Sequence, residues 1–152
     1  MKTNVISEEV SSCPEDGKCI FEVLPNKSIQ ITKTSLNEIY PKLIDGNKVV
    51  LRFDYKRNEM PDVQDSSYNE IILVEIDPNA PEVELNGKRM SEAKLFFARF
   101  CFCRGQTGYY VIDQGNLKIE KLNGNHYSFE LNFKTDEVPQ IITSIDEEFT
   151  LE

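Results

Sequence analysis

Residues 117–133 read LKIEKLNGNHYSFELNF and form the most regular pattern in the chain. After the Asn123-Gly124-Asn125 turn, apolar and polar residues alternate, with Tyr127, Phe129, Leu131 and Phe133 at one parity and Ser128, Glu130, Asn132 and Lys134 at the other. A period of two is typical of a strand with one buried face, and an Asn-Gly step between two such runs favours a tight hairpin turn. The stretch therefore predicts an antiparallel β-hairpin and indicates a mainly β fold.

The same alternation extends in both directions from this hairpin. Asp45-Gly46-Asn47 predicts a second turn, and the strand after it carries Val49, Leu51, Phe53 and Tyr55 at one parity. Further strands are predicted at 21–23, 29–31, 71–76, 109–112 and 138–145, with a turn at Pro25-Asn26 between the first two. About eight or nine strands at such spacings favour a single antiparallel β-sandwich, with a closed calycin-like barrel as the alternative.

Two segments also show helical spacing. Ser35 and Glu38 are spaced as a capping box, but a proline follows where a helix interior would need its amide, so we expect at most one helical turn at 35–40. Helical spacing from residue 90 onwards overlaps a strand-like alternation. We therefore expect a short helix at 91–97 that leads into a strand at 98–103.

The composition indicates one folded domain with an acidic surface. The chain has 152 residues, of which 39% are hydrophobic and 28% charged, as in ordinary globular proteins. Residues 1–18 are polar and predict a flexible lead-in, and residues 19–150 predict a single β domain. The net charge of −9 makes nucleic acid and anionic membranes poor partners, and no stretch is apolar enough for a membrane span.

The four cysteines form two close pairs, Cys13 with Cys19 and Cys101 with Cys103. The five residues between the first two are rich in turn formers, which would let those two sulfurs meet. On a strand, however, Cys101 and Cys103 point the same way, and a bond between them would need Cα atoms near the upper limit for a disulfide. We therefore expect two crossed bridges that join the 13/19 turn to the 101/103 strand.

Other roles for the cysteines remain open at this stage. A four-thiolate zinc site would be built from Cys13, Cys19, Cys101 and Cys103, but spacers of five residues and one residue match zinc knuckles poorly. A redox-active pair lacks the usual C-x-x-C motif, and buried free thiols are the remaining alternative. Structural disulfides fit the pairs best, and they favour an oxidising compartment.

The candidates for catalysis and metal binding are few. His126 is the only histidine, and its place beside a turn predicts a solvated side chain. Asp54, Asp62 and Asp65 define a candidate cation loop, although their spacing does not match an EF-hand and a solvated loop is the simpler interpretation. We predict no catalytic residue, cofactor or metal. Tyr109 and Tyr110 are adjacent, so one of them faces outward, where it would line a binding surface.

Two parts of the chain resemble a broad group of bacterial proteins. Residues 115–119 and 127–133 are similar to the closing hairpin of uncharacterised secreted or lipid-anchored β-proteins of Gram-negative bacteria. Residues 47–55 and 68–76 are similar to paired strands in the immunoglobulin-like domains of those proteins. The resemblance implies a sandwich fold and a location in the cell envelope. The cysteine pairs are not part of this general pattern.

These observations lead to three functional hypotheses. The first is a non-enzymatic binding or structural domain of the cell envelope, whose partner is a protein or another envelope component. The alternatives are a small-molecule-binding β-barrel and a hydrolase that uses two carboxylates. Glu8 and Glu9 lie where a signal peptide would have its apolar core, so the first residues do not read as a signal peptide. We expect a periplasmic, lipid-anchored or secreted protein if a signal segment was removed, and a cytoplasmic protein otherwise.

Overall fold

The computed structural model of the chain describes residues 13–59, 67–101 and 107–151, together with the backbone of Val5–Ser7. These residues form two antiparallel sheets that enclose one main core and do not close into a barrel. The predicted mainly β sandwich is therefore confirmed. The barrel alternative is wrong, because the edge strands of one sheet do not pair with those of the other.

The described residues contain ten strands. The bounds of β1 to β5 are Val5–Ser7, Gly17–Lys33, Ile39–Arg57, Tyr68–Ile76 and Val83–Asn86. Those of β6 to β10 are Leu95–Cys101, Gly108–Val111, Gly115–Asn123, His126–Phe133 and Ser144–Thr150. In the first sheet the order is β1-β2-β3-β4-β6-β7, and the second sheet has the order β10-β9-β8-β5. Strand β1 lies inside the predicted lead-in and pairs with β2, and residues 1–4 and 8–12 lie outside the described part.

The main core forms where the alternating apolar residues of the two sheets meet. The predicted hairpin is present as β8 and β9, and its apolar residues of inward parity are all buried. Phe21 of β2 stacks on Phe129 of β9 with ring centroids 5.8 Å apart, and Phe97 of β6 contacts Phe133 at 5.6 Å. Full burial of each such ring contributes about 1.5–3 kcal/mol to folding, so these contacts across the sandwich hold the two sheets together.

The β2–β3 hairpin is much longer than the sequence predicts. Both strands continue through Pro25-Asn26 and Asp45-Gly46-Asn47, so these two predicted turns are wrong. The register shifts at Lys27, which makes the two segments a bulge within a continuous ladder. Asn26 takes the left-handed backbone conformation that a turn would also use, with φ 60°. A turn residue and a bulge residue look alike in sequence because both need this backbone freedom.

The true reverse turn of this hairpin joins β2 to β3 at residues 34–38. The Thr34 hydroxyl oxygen accepts hydrogen bonds from the backbone N–H groups of Leu36 and Glu38, both at 3.2 Å. Asn37 has a positive φ of 66°. The predicted helical turn at 35–40 is therefore the tip of a β-hairpin, which we call the arm tip. The arm itself comprises residues 27–33 and 39–45 beyond the bulge.

The arm folds back over the outer face of the first sheet. The backbone N–H of Ile29 donates to the Glu75 carboxylate at 2.8 Å, and the Lys94 ammonium donates to the Ile29 carbonyl at 2.8 Å. Ile29 also packs with Val50 and other apolar residues in a second, smaller core on this face. Because bulges bend strands, the bulge at Lys27 accounts for the change of direction that brings the arm onto the sheet.

Two further boundaries differ from the prediction. The helix is a 3-10 helix at Gly87–Glu92, and β6 begins at Leu95, so a helix over 91–97 is wrong. The first five residues of β6 are all buried; Leu95 and Phe97 belong to the main core and Phe96 to the smaller core under the arm, and this two-sided burial hides the period of two. The closing strand is Ser144–Thr150 rather than residues 138–145.

Candidate functional site

The first pair of cysteines forms a local disulfide. Cys13 and Cys19 are bonded to each other with Cα atoms 5.7 Å apart, so the predicted crossed bridges are wrong. Strand β2, which carries Cys19, is separated from β6 by β3 and β4. Three strand spacings amount to about 14 Å, which is far beyond the Cα separation that a disulfide tolerates. Cys101 is also disulfide-bonded; Cys103 lies outside the described residues.

The Cys13–Cys19 turn is fixed to the edge of the sandwich by Asp16. The Tyr55 hydroxyl donates to the Asp16 carboxylate at 2.6 Å, and the backbone N–H of Asn58 donates to the Asp16 carbonyl at 2.8 Å. Burial first, and then the hydrogen bond to Asp16, raise the pKa of Tyr55. The turn therefore has a structural role, and its disulfide sulfurs offer no thiolate to a metal ion. Within the described residues no group of three or more His, Cys, Asp and Glu side chains is placed to hold a metal.

The candidate cation loop is described only in part. Asp62 and Asp65 lie outside the described residues. Asp54 lies on the outer face of the first sheet, where it accepts a hydrogen bond from the Asn69 amide at 2.5 Å and contacts Arg52 at 3.4 Å. The bond from Asn69 ties β4 to β3, and the two contacts together already use the Asp54 carboxylate.

The single histidine has partners on the neighbouring strand. His126 begins β9, and its ring nitrogens contact Glu148 at 2.7 Å and Thr150 at 3.3 Å. The ring is half-buried, so the prediction of a merely solvated turn histidine needs correction. Its position beside the edge strand β10 gives it a role in holding the β9–β10 ladder.

A buried polar cluster lies at one end of the main core. The Glu70 carboxylate is fully buried and accepts hydrogen bonds from the Tyr68 hydroxyl and from the backbone N–H groups of Ile141 (2.7 Å) and Ile142 (2.8 Å). Arg99 Nε donates to the Tyr68 oxygen at 3.0 Å. Burial and the bond to Glu70 raise the pKa of Tyr68 to about 12. The cluster fixes the segment between β9 and β10, and this capture explains why Ile141 and Ile142 are not part of a strand.

A cleft of about 400 Å³ lies at the edge of β7, between the arm tip and the segment that follows β9. It is lined by residues 37–40 of the arm tip and the start of β3, by residues 107–111 and by Glu137. Tyr40 contacts Tyr109 edge-on with ring centroids 6.0 Å apart, and Tyr109 contacts Phe100 in the same way at 5.5 Å. The cleft therefore presents tyrosine rings that rest on other aromatic rings.

The polar lining of this cleft is acidic. Glu38 and Glu137 supply carboxylates, and its lining residues in the described part include no lysine or arginine. The pKa of Tyr110 is raised, by burial first and then by the Glu137 carboxylate. The Tyr40 hydroxyl donates to Glu38 at 3.4 Å. Tyrosine rings beside carboxylates suit ligands that carry both apolar surface and positive charge or hydroxyl groups.

A second concavity, of about 250 Å³, lies near residues 74–83 and is less suited to binding. Its carboxylates have structural partners. Glu75 accepts from the Ile29 N–H, Glu82 accepts from the Lys121 N–H at 2.9 Å, and Asp77 contacts Lys48 at 3.7 Å. The cleft at β7 lacks such an obvious structural task and is the stronger candidate.

The sequence predicts only part of this cleft. The sequence predicts one outward ring among Tyr109 and Tyr110, and both residues line the cleft. It does not predict that Glu38, Tyr40 and Glu137 join them there. Their contribution depends on the folding back of the arm and on the path of the segment after β9, and neither has a local signal in the sequence.

Comparison of the chain with protein-family models, with curated proteins and with solved structures finds no match. The resemblance to immunoglobulin-like envelope proteins therefore stays a prediction. Among the described residues, no helix has the length and apolar character that crossing a bilayer requires. The fold and the site together define a disulfide-bonded β-sandwich with a tyrosine-lined cleft at one sheet edge.

Proposed function

We propose that this chain is a non-enzymatic binding domain that works outside the cytoplasm and takes its ligand or partner in the cleft at β7. The observation that carries the proposal is the lining of that cleft. Tyr40, Tyr109 and Tyr110 offer large, rigid surfaces with a polar tip, and such side chains give contact area at a low entropy cost.

The location outside the cytoplasm is supported by the Cys13–Cys19 disulfide. Structural disulfides persist in oxidising compartments and are rare where glutathione and thioredoxin keep thiols reduced. The acidic net charge of −9 argues against binding to nucleic acid or to an anionic bilayer. The cell envelope is the compartment of the proposal.

The binding role can be tested by NMR with isotope-labelled protein. The probes are three small sets: mono- and disaccharides, aliphatic and aromatic amines, and short peptides. We expect at least one set to shift the amide signals of residues 37–40 and 107–111. Tyr109→Ala should weaken that ligand by tenfold or more, because the ring is the central contact between Tyr40 and Phe100.

A second cleft variant and a control outside the cleft make this test specific. Tyr40→Ala removes a ring that is 46% exposed and should weaken the ligand without a loss of stability. Leu122→Ala changes a comparably exposed apolar residue at the end of β8 and should leave binding unchanged. Signal shifts that scatter over the surface, or that persist in Tyr109→Ala, would contradict the assignment of the cleft.

The compartment is tested separately on protein taken from its native source into an alkylating buffer. Cys13 and Cys19 should resist alkylation until a reductant is added. Complete alkylation without reductant would place the chain in a reducing compartment.

A further inference from the structure

We propose that the occupant of the cleft is an extended, cationic segment of a partner protein, which adds to β7 as a new edge strand. This inference rests on the proposed binding function and names the partner chemistry. Three features of the described residues carry it: the edge of β7 that has no strand partner, the lack of charged side chains within β7, and the acidic walls on either side of the cleft.

The edge of β7 offers backbone groups to a further strand. The N–H of Ile112 donates to the Leu95 carbonyl at 3.1 Å, so this residue points towards β6. In a strand the direction alternates, so Tyr110 also points towards β6, whereas the N–H and C=O groups of Tyr109 and Val111 point away from it. Within the described part of the chain these outward groups have no backbone partner.

The edge strands β10 and β5 carry charged side chains that discourage strand addition, and β7 does not. Strand β10 holds Asp146, Glu147 and Glu148, and β5 holds Glu84. Natural proteins place charges on edge strands to prevent pairing with other chains. Strand β7 reads Gly-Tyr-Tyr-Val, without a charge, and Val111 is 42% exposed. The edge strand β1 is also uncharged, but two glutamates follow it in the sequence.

The cleft straddles this open edge. Tyr109 pairs with Ala98 on the outer face of the first sheet, where its ring meets Tyr40 of the arm. Tyr110 pairs with Phe97 and faces the inner side, where the Glu137 carboxylate acts on it. A strand added to β7 would therefore run between an outer and an inner wall, and its alternate side chains would meet one wall each.

The charges of the two walls select the occupant. Among the described residues of the cleft lining, the carboxylates of Glu38 and Glu137 are the charged side chains. Lysine and arginine side chains fit such walls, since they pair with carboxylates and also stack on tyrosine rings. A sugar hydroxyl can bond to a single backbone group, whereas an extended peptide matches the repeat of the outward N–H and C=O groups of Tyr109 and Val111 along β7. The free backbone edge therefore favours the peptide.

The test compares two substitutions at Val111. Val111→Pro removes the outward N–H and keeps the ladder to β6, and Val111→Ala shortens the side chain but keeps the N–H. Nonapeptides displayed on phage are selected on the wild-type protein and then made synthetically. We expect the selected peptides to be rich in lysine or arginine. Their affinity should fall tenfold or more in Val111→Pro and less than threefold in Val111→Ala.

Two further measurements do not depend on the folding of the proline variant. Binding of a selected peptide to the wild-type protein should slow hydrogen exchange of the Tyr109 and Val111 amides by tenfold or more. Two versions of a selected peptide are also compared, one N-methylated at its odd-numbered residues and the other at its even-numbered residues. Only one of the two should lose affinity, because alternate N–H groups of a strand face the neighbouring strand. Glu137→Lys should weaken the unmodified peptide about tenfold at low salt, and Glu15→Lys, an exposed glutamate in the disulfide turn, should not.

The outcomes separate this inference from the proposed function. Strand addition would be overturned by a peptide or sugar that requires Tyr109, binds Val111→Pro as tightly as the wild-type protein, and does not slow hydrogen exchange of the Val111 amide. The cleft would then remain a binding site. Enrichment of acidic peptides would overturn the charge argument. If no sugar, amine or peptide binds in the cleft, both the proposed function and this inference are refuted.

Discussion

Replacement of Glu70 by glutamine tests whether a buried carboxylate organises the end of the sandwich. The carboxylate is fully buried and accepts three hydrogen bonds, from Tyr68 and from the backbone N–H groups of Ile141 and Ile142. Glu70→Gln keeps the shape of the side chain but replaces one acceptor oxygen by an NH₂ group. The backbone N–H of Ile141 or Ile142 that faces the new NH₂ group loses its acceptor, because an N–H donor then points at another donor.

The expected loss of stability follows from these contacts. A buried donor without a partner costs about 1–3 kcal/mol, and bonds to a charged acceptor are worth more than bonds to a neutral one. Removal of the buried charge also removes part of its desolvation cost, which offsets some of the loss. We expect Glu70→Gln to lower the free energy of unfolding by about 2–4 kcal/mol.

Urea unfolding and amide hydrogen exchange provide the two readouts. The amides of Ile141 and Ile142 should exchange faster in Glu70→Gln by more than the global change in stability accounts for. Glu130→Gln, an exposed position on β9, is the matched control and should change stability by less than about 0.5 kcal/mol. If Glu70→Gln is equally mild and both amides stay protected, the carboxylate is not their acceptor and the reasoning fails.

Three further predictions concern other contacts. In a non-reducing tryptic digest, the peptide with Cys13 should stay joined to the peptide with Cys19 although trypsin cleaves between them, and neither should be joined to the peptide that carries the other two cysteines. The pKa of Tyr68 is raised from 10.0 to about 12, so the unfolded chain loses this proton at a lower pH than the folded one. The free energy of unfolding should therefore fall between about pH 10 and pH 12, and it should fall less in Tyr68→Phe. An equal dependence of stability on pH in the two proteins would contradict this. Glu75→Ala should speed exchange of the Ile29 amide about tenfold by loosening the arm, and unchanged exchange would refute its role.

The strands of the core could be predicted because their cause is local. The alternation of Tyr127, Phe129, Leu131 and Phe133 places all four side chains on one face whatever the rest of the chain does, and burial of that face stabilises a strand. The Asn-Gly step then brings β8 and β9 together. The mainly β class of the fold, the β8–β9 hairpin and the inward row of aromatic rings on β9 follow from such patterns.

The errors arose where a local signal allows two structures. Asp45-Gly46-Asn47 suits a turn and a bulge alike, and the ladder with β2 selected the bulge. The run from Leu95 is buried by the main core on one side and by the arm on the other, so its period of two is hidden. The disulfide partner of Cys19 depended on strand order, since β3 and β4 stand between β2 and β6.

The sequence by itself determined that this protein is an acidic, mainly β domain with two close pairs of cysteines and with one outward ring at either Tyr109 or Tyr110. Only the tertiary structure decided that Glu38 and Glu137 line the same cleft as Tyr109. The physical reason is that side-chain parity repeats every two residues and can be read locally. The positions of the arm and of the segment between β9 and β10 depend instead on contacts between residues far apart in the sequence. The bend at Lys27 directs the arm, and the buried Glu70 carboxylate holds Ile141 and Ile142.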